Sequence, residues 1–153
     1  LEEKQLALYH QKAGNLKLRD GVRSYLEEAE KQGLKIGLAS SSSRDWVESY
    51  LKKFEIYDYF HVIKTKENVK KVKPDPSLYI KALEALSVTP EESIAFEDSL
   101  NGSMAAIAAG IRCVIVPNPV TEHLPFEHYH LLLSSMAEKS LSHILGDLHQ
   151  NVV

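Results

Sequence analysis

Among 153 residues there is one cysteine, one tryptophan and two methionines. A single Cys113 excludes an internal disulfide, and its place inside the apolar run Cys113-Val-Ile-Val116 marks it as a core residue rather than a nucleophile. No apolar run approaches the roughly 18 residues that span a bilayer. No basic-then-apolar leader is present, so the expectation is a cytoplasmic protein with no membrane partner. An excess of positive charge is missing too. Eighteen Lys and Arg against 21 Asp and Glu leave a net charge of −3, and the basic residues are scattered, which argues against a nucleic-acid surface. Internal repeats are absent, and the one low-complexity tract is four consecutive serines. With 44% hydrophobic residues the chain has what one compact domain needs.

What is present is an alternation of helical and strand-like segments. Leu6, Leu8, Tyr9 and Ala13 suit a first helix ended by Gly14-Asn15. Val22, Tyr25, Leu26 and Ala29 line one face of a second, which Gly33 stops. Residues 34–39 read as a strand that delivers the chain into the serines. Val47, Tyr50, Leu51 and Phe54 give the next helix its apolar face, and residues 59–65 the next strand. Asp75 and Pro76 start a helix carrying Leu78, Tyr79, Ala82, Leu83 and Leu86, and Thr89-Pro-Glu-Glu92 is a capping box before the strand Ile94-Ala-Phe96. An Ala-rich helix closed by Gly110, a strand over residues 112–117, a short edge strand at 131–133 and a helix over residues 136–148 complete the pattern. Helices alternating with short apolar strands predict a three-layer α/β sandwich around a mostly parallel, Rossmann-like sheet.

Chemistry-bearing groups fall where the strands end, the expected ligand rim of such a sheet. The first strand ends at Ser40. The serines then lead into a helix start at Arg44, where unpaired N–H groups and the dipole favour a phosphate, although one serine would serve as an ordinary cap. Lys73 stands in Lys73-Pro-Asp-Pro76, where two prolines fix the backbone beside it. Glu97 and Asp98 end the strand of residue 96 as a hard, oxygen-rich corner suited to Mg²⁺, although an isolated Glu-Asp would ordinarily cap or pair. His123, His128 and His130 have spacings that fit no helical face, and they read as surface histidines. A hydroxyl, a lysine and a carboxylate pair, in that order, are three parts of a phosphoryl-transfer site. A phosphoacceptor receiver domain has the reverse order and is rejected.

In these motifs the chain resembles the haloacid dehalogenase-like hydrolase superfamily, in its β-phosphoglucomutase-like, sugar-phosphate phosphatase branch. Leu38-Ala-Ser40 resembles the second family motif, Lys73-Pro-Asp-Pro76 the third and Phe96-Glu-Asp-Ser-Leu-Asn-Gly102 the fourth. The resemblance implies that Ser40 and Lys73 are catalytic, with Ser40, Ser41, Ser42 and Lys73 on phosphate, and with Arg44 a weaker candidate. It implies that Asp98 binds Mg²⁺, with Glu97 a direct or water-mediated second ligand. The implied activity is Mg²⁺-dependent hydrolysis of a small phosphorylated metabolite such as a sugar phosphate through an aspartyl-phosphate. The alternatives are a phosphomutase of the β-phosphoglucomutase type and a non-catalytic remnant or binding module.

The family's first motif, Asp-x-Asp-Gly-Thr, does not occur; Asp20-Gly21 is the one Asp-Gly, and it opens a helix. Residues 1–15 resemble the last helix of a helical cap domain and residues 16–153 the core domain without its first strand. The expectation is therefore a chain inactive alone, whose partner is the missing N-terminal segment or a second copy. The strands ending at Ser40 and Asp98 would then pair with each other, borrow a strand, or keep unpaired groups.

Overall fold

The computed structural model describes residues 18–119 and 121–148, together with the backbone of 149 and 150. The expected first helix and cap remnant at residues 1–15 lie outside these. Among the described residues five α-helices and five strands follow in the order α1 Val22–Lys31, β1 Gly37–Ala39, α2 Arg44–Lys53, β2 Val62–Lys64, α3 Ser77–Leu86, β3 Ile94–Glu97, α4 Leu100–Ala108, β4 Arg112–Ile115, β5 Leu131–Leu132 and α5 Leu141–Gln150. All strand pairs are parallel, as expected of α/β units with helical crossovers.

The strands form two sheets. β1 pairs with β2, Gly37 opposite Val62 and Ala39 opposite Lys64. The other sheet has the order β3-β4-β5, with Ile94 opposite Arg112, Glu97 opposite Ile115 and Val114 opposite Leu131. Among the described residues no strand joins β1 to β3, so each keeps one edge unpaired. Gly37 is exposed, and Leu38, Ala39, Ile94 and Phe96 are half-buried, so these edges are not sealed in the core. This lowers the cost of leaving their main-chain groups unpaired.

β4 is the strand with both faces covered. Val114 packs with Tyr25, Ala29, Leu133, Leu141, Ile144 and Leu148 on one side. Cys113 and Ile115 pack with Leu83, Ala95, Ala106 and Ile111 on the other. That is the three-layer arrangement that a continuous apolar run predicts. Burial pushes the Cys113 thiol up to about 12, so it is inert, as its sequence setting implies. A third cluster, Leu26, Val47, Leu51, Ile56 and Ile63, packs α1 and α2 onto β2.

Helix ends follow local chemistry. Gly33, at φ 71, ends α1 with Leu34 N–H donating to Ala29 O at 2.9 Å. That turn leaves Leu34 exposed, so the ladder begins at Gly37 and not at the predicted residue 34. The predicted last helix shortens likewise: residues 136 and 137 form a turn, and α5 starts at Leu141, whose N–H donates to the Glu28 carboxylate of α1 at 3.0 Å. Two histidines extend the sheets by one residue each. His61 donates its N–H to Ile36 O at 2.8 Å and accepts Ile36 N–H on Nδ1 at 3.0 Å. His130 does the same to Cys113, at 2.8 and 3.0 Å. Both imidazoles are therefore held as the tautomer that carries its proton on Nε2. His130→Ala should leave the Cys113 N–H short of its acceptor and lower stability by about 1 kcal/mol, read as a shift of the urea midpoint at unchanged slope.

Candidate functional site

The four serines do four different things. Ser40 N–H continues the ladder to Lys64 O at 2.9 Å, while its Oγ accepts Ser42 N–H at 3.1 Å and turns the chain. Ser41 Oγ accepts the N–H of Lys73 at 3.2 Å, tying the first rim loop to the second. Ser42 is buried, its Oγ without a partner among the described residues. Ser43 caps α2 by accepting Trp46 N–H at 3.3 Å.

An anion already stands at the α2 N-terminus. Arg44 N–H donates to both Glu67 oxygens, at 3.2 and 3.3 Å, and Thr65 Oγ1 donates to Glu67 Oε1 at 2.8 Å. The Thr65 bond foremost, with backbone N–H groups, holds the Glu67 carboxyl below its ordinary value. A depressed carboxylate stabilises the fold above its ordinary value, and that contribution disappears as pH falls through the folded-state value. The melting temperature of Glu67→Gln should thus lie below wild type at neutral pH and converge on it as pH falls below about 4.

Lys73, from the loop before α3, and Glu97, the last residue of β3, form the buried centre of the rim. Their side chains are 8% and 7% exposed, and Lys73 Nζ donates to Glu97 Oε2 at 2.5 Å. Tyr79 of α3 donates its hydroxyl to the same oxygen, and its ring lies 4.9 Å beneath Lys73 Nζ. Burial pushes the Glu97 carboxyl above its ordinary value against the pull of Lys73 and Tyr79. Burial first, and the Glu97 charge second, push the Tyr79 phenol well above its ordinary value, so it remains a donor. The carboxylate fits because residue 102 is glycine: a Cβ there would lie 1.9 Å from Glu97 Oε1. Ser99 sets that approach by capping α4 through Gly102 N–H at 2.9 Å.

Asp98, the next residue, stands at the open rim with its side chain 46% exposed. Asn118, just past β4, donates Nδ2 to Asp98 Oδ2 at 3.1 Å. Thr121 fixes that amide's orientation by donating its N–H to Asn118 Oδ1 at 3.0 Å. Arg19 lies 3.7 Å from the same carboxylate and donates to Val116 O at 3.0 Å and Pro117 O at 2.9 Å. Burial foremost raises the Tyr50 phenol of α2 above its ordinary value, with the Arg19 charge lowering it and the Asp98 charge raising it.

Tested against Mg²⁺, this donor set supplies one hard oxygen ligand, Asp98. Glu97 is engaged by Lys73, and the described residues hold no group of three or more His, Cys, Asp or Glu able to bind a metal. They do not make a magnesium site by themselves. Tyr79, Asn118 and Arg19 were not among the sequence candidates. Asn118 was accessible in principle from its place at a strand's carboxyl end; Tyr79 was hidden among the apolar positions of its helix.

Comparison with known proteins gives a consistent result. Residues 3–116 match the family model described as haloacid dehalogenase-like hydrolase. YhcW of Bacillus subtilis, designated a phosphatase, is 53% identical over 133 residues, covering 87% of this chain and 60% of its own. Hexitol phosphatase B of Escherichia coli is 35% identical over 130 residues, covering 84% of this chain and 59% of its own. The crystal structure of CbbY from Rhodobacter sphaeroides in complex with phosphate superimposes with a TM-score of 0.80 at 36% identity, covering 89% of this chain and 61% of that one. The chain thus spans about 60% of the length of these relatives.

Proposed function

The chain belongs to the haloacid dehalogenase-like hydrolase family, and from that premise we propose that it is the phosphate-handling part of a Mg²⁺-dependent phosphatase acting on a small phosphorylated metabolite of the sugar-phosphate class. The observation that carries this reading is the buried Lys73–Glu97 pair, whose lysine main chain is bonded to the Ser41 hydroxyl at the strand-end rim. The ammonium is fixed by Glu97 and the lysine's main chain by the hydroxyl turn, two groups of the kind that stabilising a transferred phosphoryl group requires.

In the complete protein, an aspartate from outside these 153 residues attacks phosphorus. The bond from phosphorus to the ester oxygen breaks, and that oxygen takes a proton from an acid also outside these residues and leaves as the alcohol. Water, giving its proton back to that group, then cleaves the aspartyl-phosphate to inorganic phosphate. Ser40 and Ser41 orient phosphate oxygens, and Lys73 offsets their charge. Asp98 is the residue that would help hold Mg²⁺, which would supply further charge neutralisation at the phosphoryl oxygens; the remaining ligands would come from beyond the described residues. Substrates of the hexitol-phosphate kind named for a relative are the first to test. The full-length protein should release inorganic phosphate from a panel of sugar monophosphates with Mg²⁺ and lose that activity with EDTA. Failure on every ester, in a protein shown by mass spectrometry to carry an Asp-x-Asp-Gly-Thr segment, would overturn the reading.

A further inference from the structure

A half-buried tyrosine at the rim, Tyr79, has no part in the mechanism just given. Its ring packs against the cluster of Leu83, Ala95, Ala106, Ile111, Cys113 and Ile115, a position phenylalanine would fill equally well. The hydroxyl therefore needs its own reason, because burying it costs free energy unless it is bonded. Its bond goes to Glu97 Oε2, the oxygen that already accepts from Lys73 Nζ. Two donors occupy both lone pairs of that oxygen. Oε1 lies over Gly102, so the carboxylate is held from both ends. Among the described residues Glu97 Oε2 is the one acceptor of Lys73 Nζ, which leaves the other ammonium protons for a ligand.

We propose that Tyr79 is a positioning residue for phosphoryl transfer, its hydroxyl fixing Glu97 and, through Glu97, the direction in which Lys73 presents its ammonium. This rests on the phosphatase reading for its effect on turnover, but not for its effect on Lys73 itself. The lever is one hydrogen bond to a buried charged group, which converts to roughly a tenfold effect when fully expressed.

The test compares wild type, Tyr79→Phe, Glu97→Gln and the double variant in the full-length protein. Two readouts are used: steady-state kinetics on a hydrolysed sugar phosphate, and the rate of Lys73 acetylation by acetic anhydride, followed by peptide mass spectrometry without substrate. Tyr79→Phe is expected to lower kcat roughly tenfold with KM nearly unchanged. It should also raise the acetylation rate of Lys73 several-fold while other lysines keep theirs. The double variant should label Lys73 no faster than Glu97→Gln alone, since the tyrosine acts through the carboxylate. Unchanged labelling of Lys73 in Tyr79→Phe overturns the proposal whatever kcat does, and so does additive labelling in the double variant. A wild-type protein that hydrolyses no phosphate ester overturns the phosphatase reading instead, and the labelling arm still decides for or against Tyr79.

Discussion

Lys73→Met is expected to destabilise the folded chain by about 3–5 kcal/mol and to reduce turnover of the full-length enzyme on the order of a hundredfold or more. The stability loss follows from what stays behind. Glu97 would keep its 8% exposure and its bond from Tyr79 but lose the cation that compensates its charge. A carboxyl already pushed up by burial, with the opposing pull of Lys73 removed, titrates higher still. Below that raised value the variant binds a proton that relieves the buried charge, so the deficit against wild type shrinks as pH falls and grows as pH rises. Urea unfolding at two pH values reads this directly. The double variant Lys73→Met with Glu97→Gln should regain much of the loss at neutral pH without regaining activity, because only the unpaired charge has been repaired. Undiminished turnover in Lys73→Met would remove Lys73 from the proposed site.

Gly102→Ala should be the second large effect, and its sign is the diagnostic. Within a helix, exchanging glycine for alanine ordinarily stabilises by about 1 kcal/mol. Here the new Cβ would lie 1.9 Å from Glu97 Oε1 and 2.3 Å from its Cδ. A flexible glutamate would swing aside at little cost, but this one is held by Lys73 and Tyr79. Either those bonds break or α4 moves off β3, at a cost of about 3 kcal/mol. Shortening the obstructing side chain should help, so Gly102→Ala combined with Glu97→Asp should be less destabilised than the sum of the single variants. A stabilised Gly102→Ala would mean that the carboxylate is not locked.

Legibility in the sequence tracks how local each cause is. The run Cys113-Val-Ile-Val116 announces β4 because both its faces are covered, and Ile94-Ala-Phe96 announces β3 although the face of Ile94 and Phe96 stays half-buried. Ser40, Lys73, Glu97 and Asp98 were legible as rim residues because strand ends and prolines mark them. What escaped depends on distant partners. Arg19 meets Val116 O across 97 positions, and Asn118 meets Asp98 across 20. Tyr79 obeys its helix's apolar period, and only the approach of β3 turns its hydroxyl toward Glu97. The separation of Glu97 from Asp98 was invisible for a related reason. Glu97 is the last residue of β3 and enters the core to meet Lys73, while Asp98, the first residue beyond the strand, reaches the rim.

The divided sheet has a consequence for how the chain opens. Among the described residues the two sets of ladder hydrogen bonds are joined through helices and not by strand pairing: α3 lies against β1 and β2 while touching α4, and α1 gives Tyr25 and Ala29 to one core cluster and Leu26 to the other. Opening one set need not break the other, so the described residues are built as two cooperative units that share α1 and α3. Amide exchange should accordingly resolve two protection classes: β3, β4 and α4 as one, and β1, β2 and α2 as the other, with the second exchanging first because its sheet has a single ladder. The Lys73–Glu97 bond spans that seam. The candidate site therefore sits where local opening would part a loop of one unit from a strand of the other.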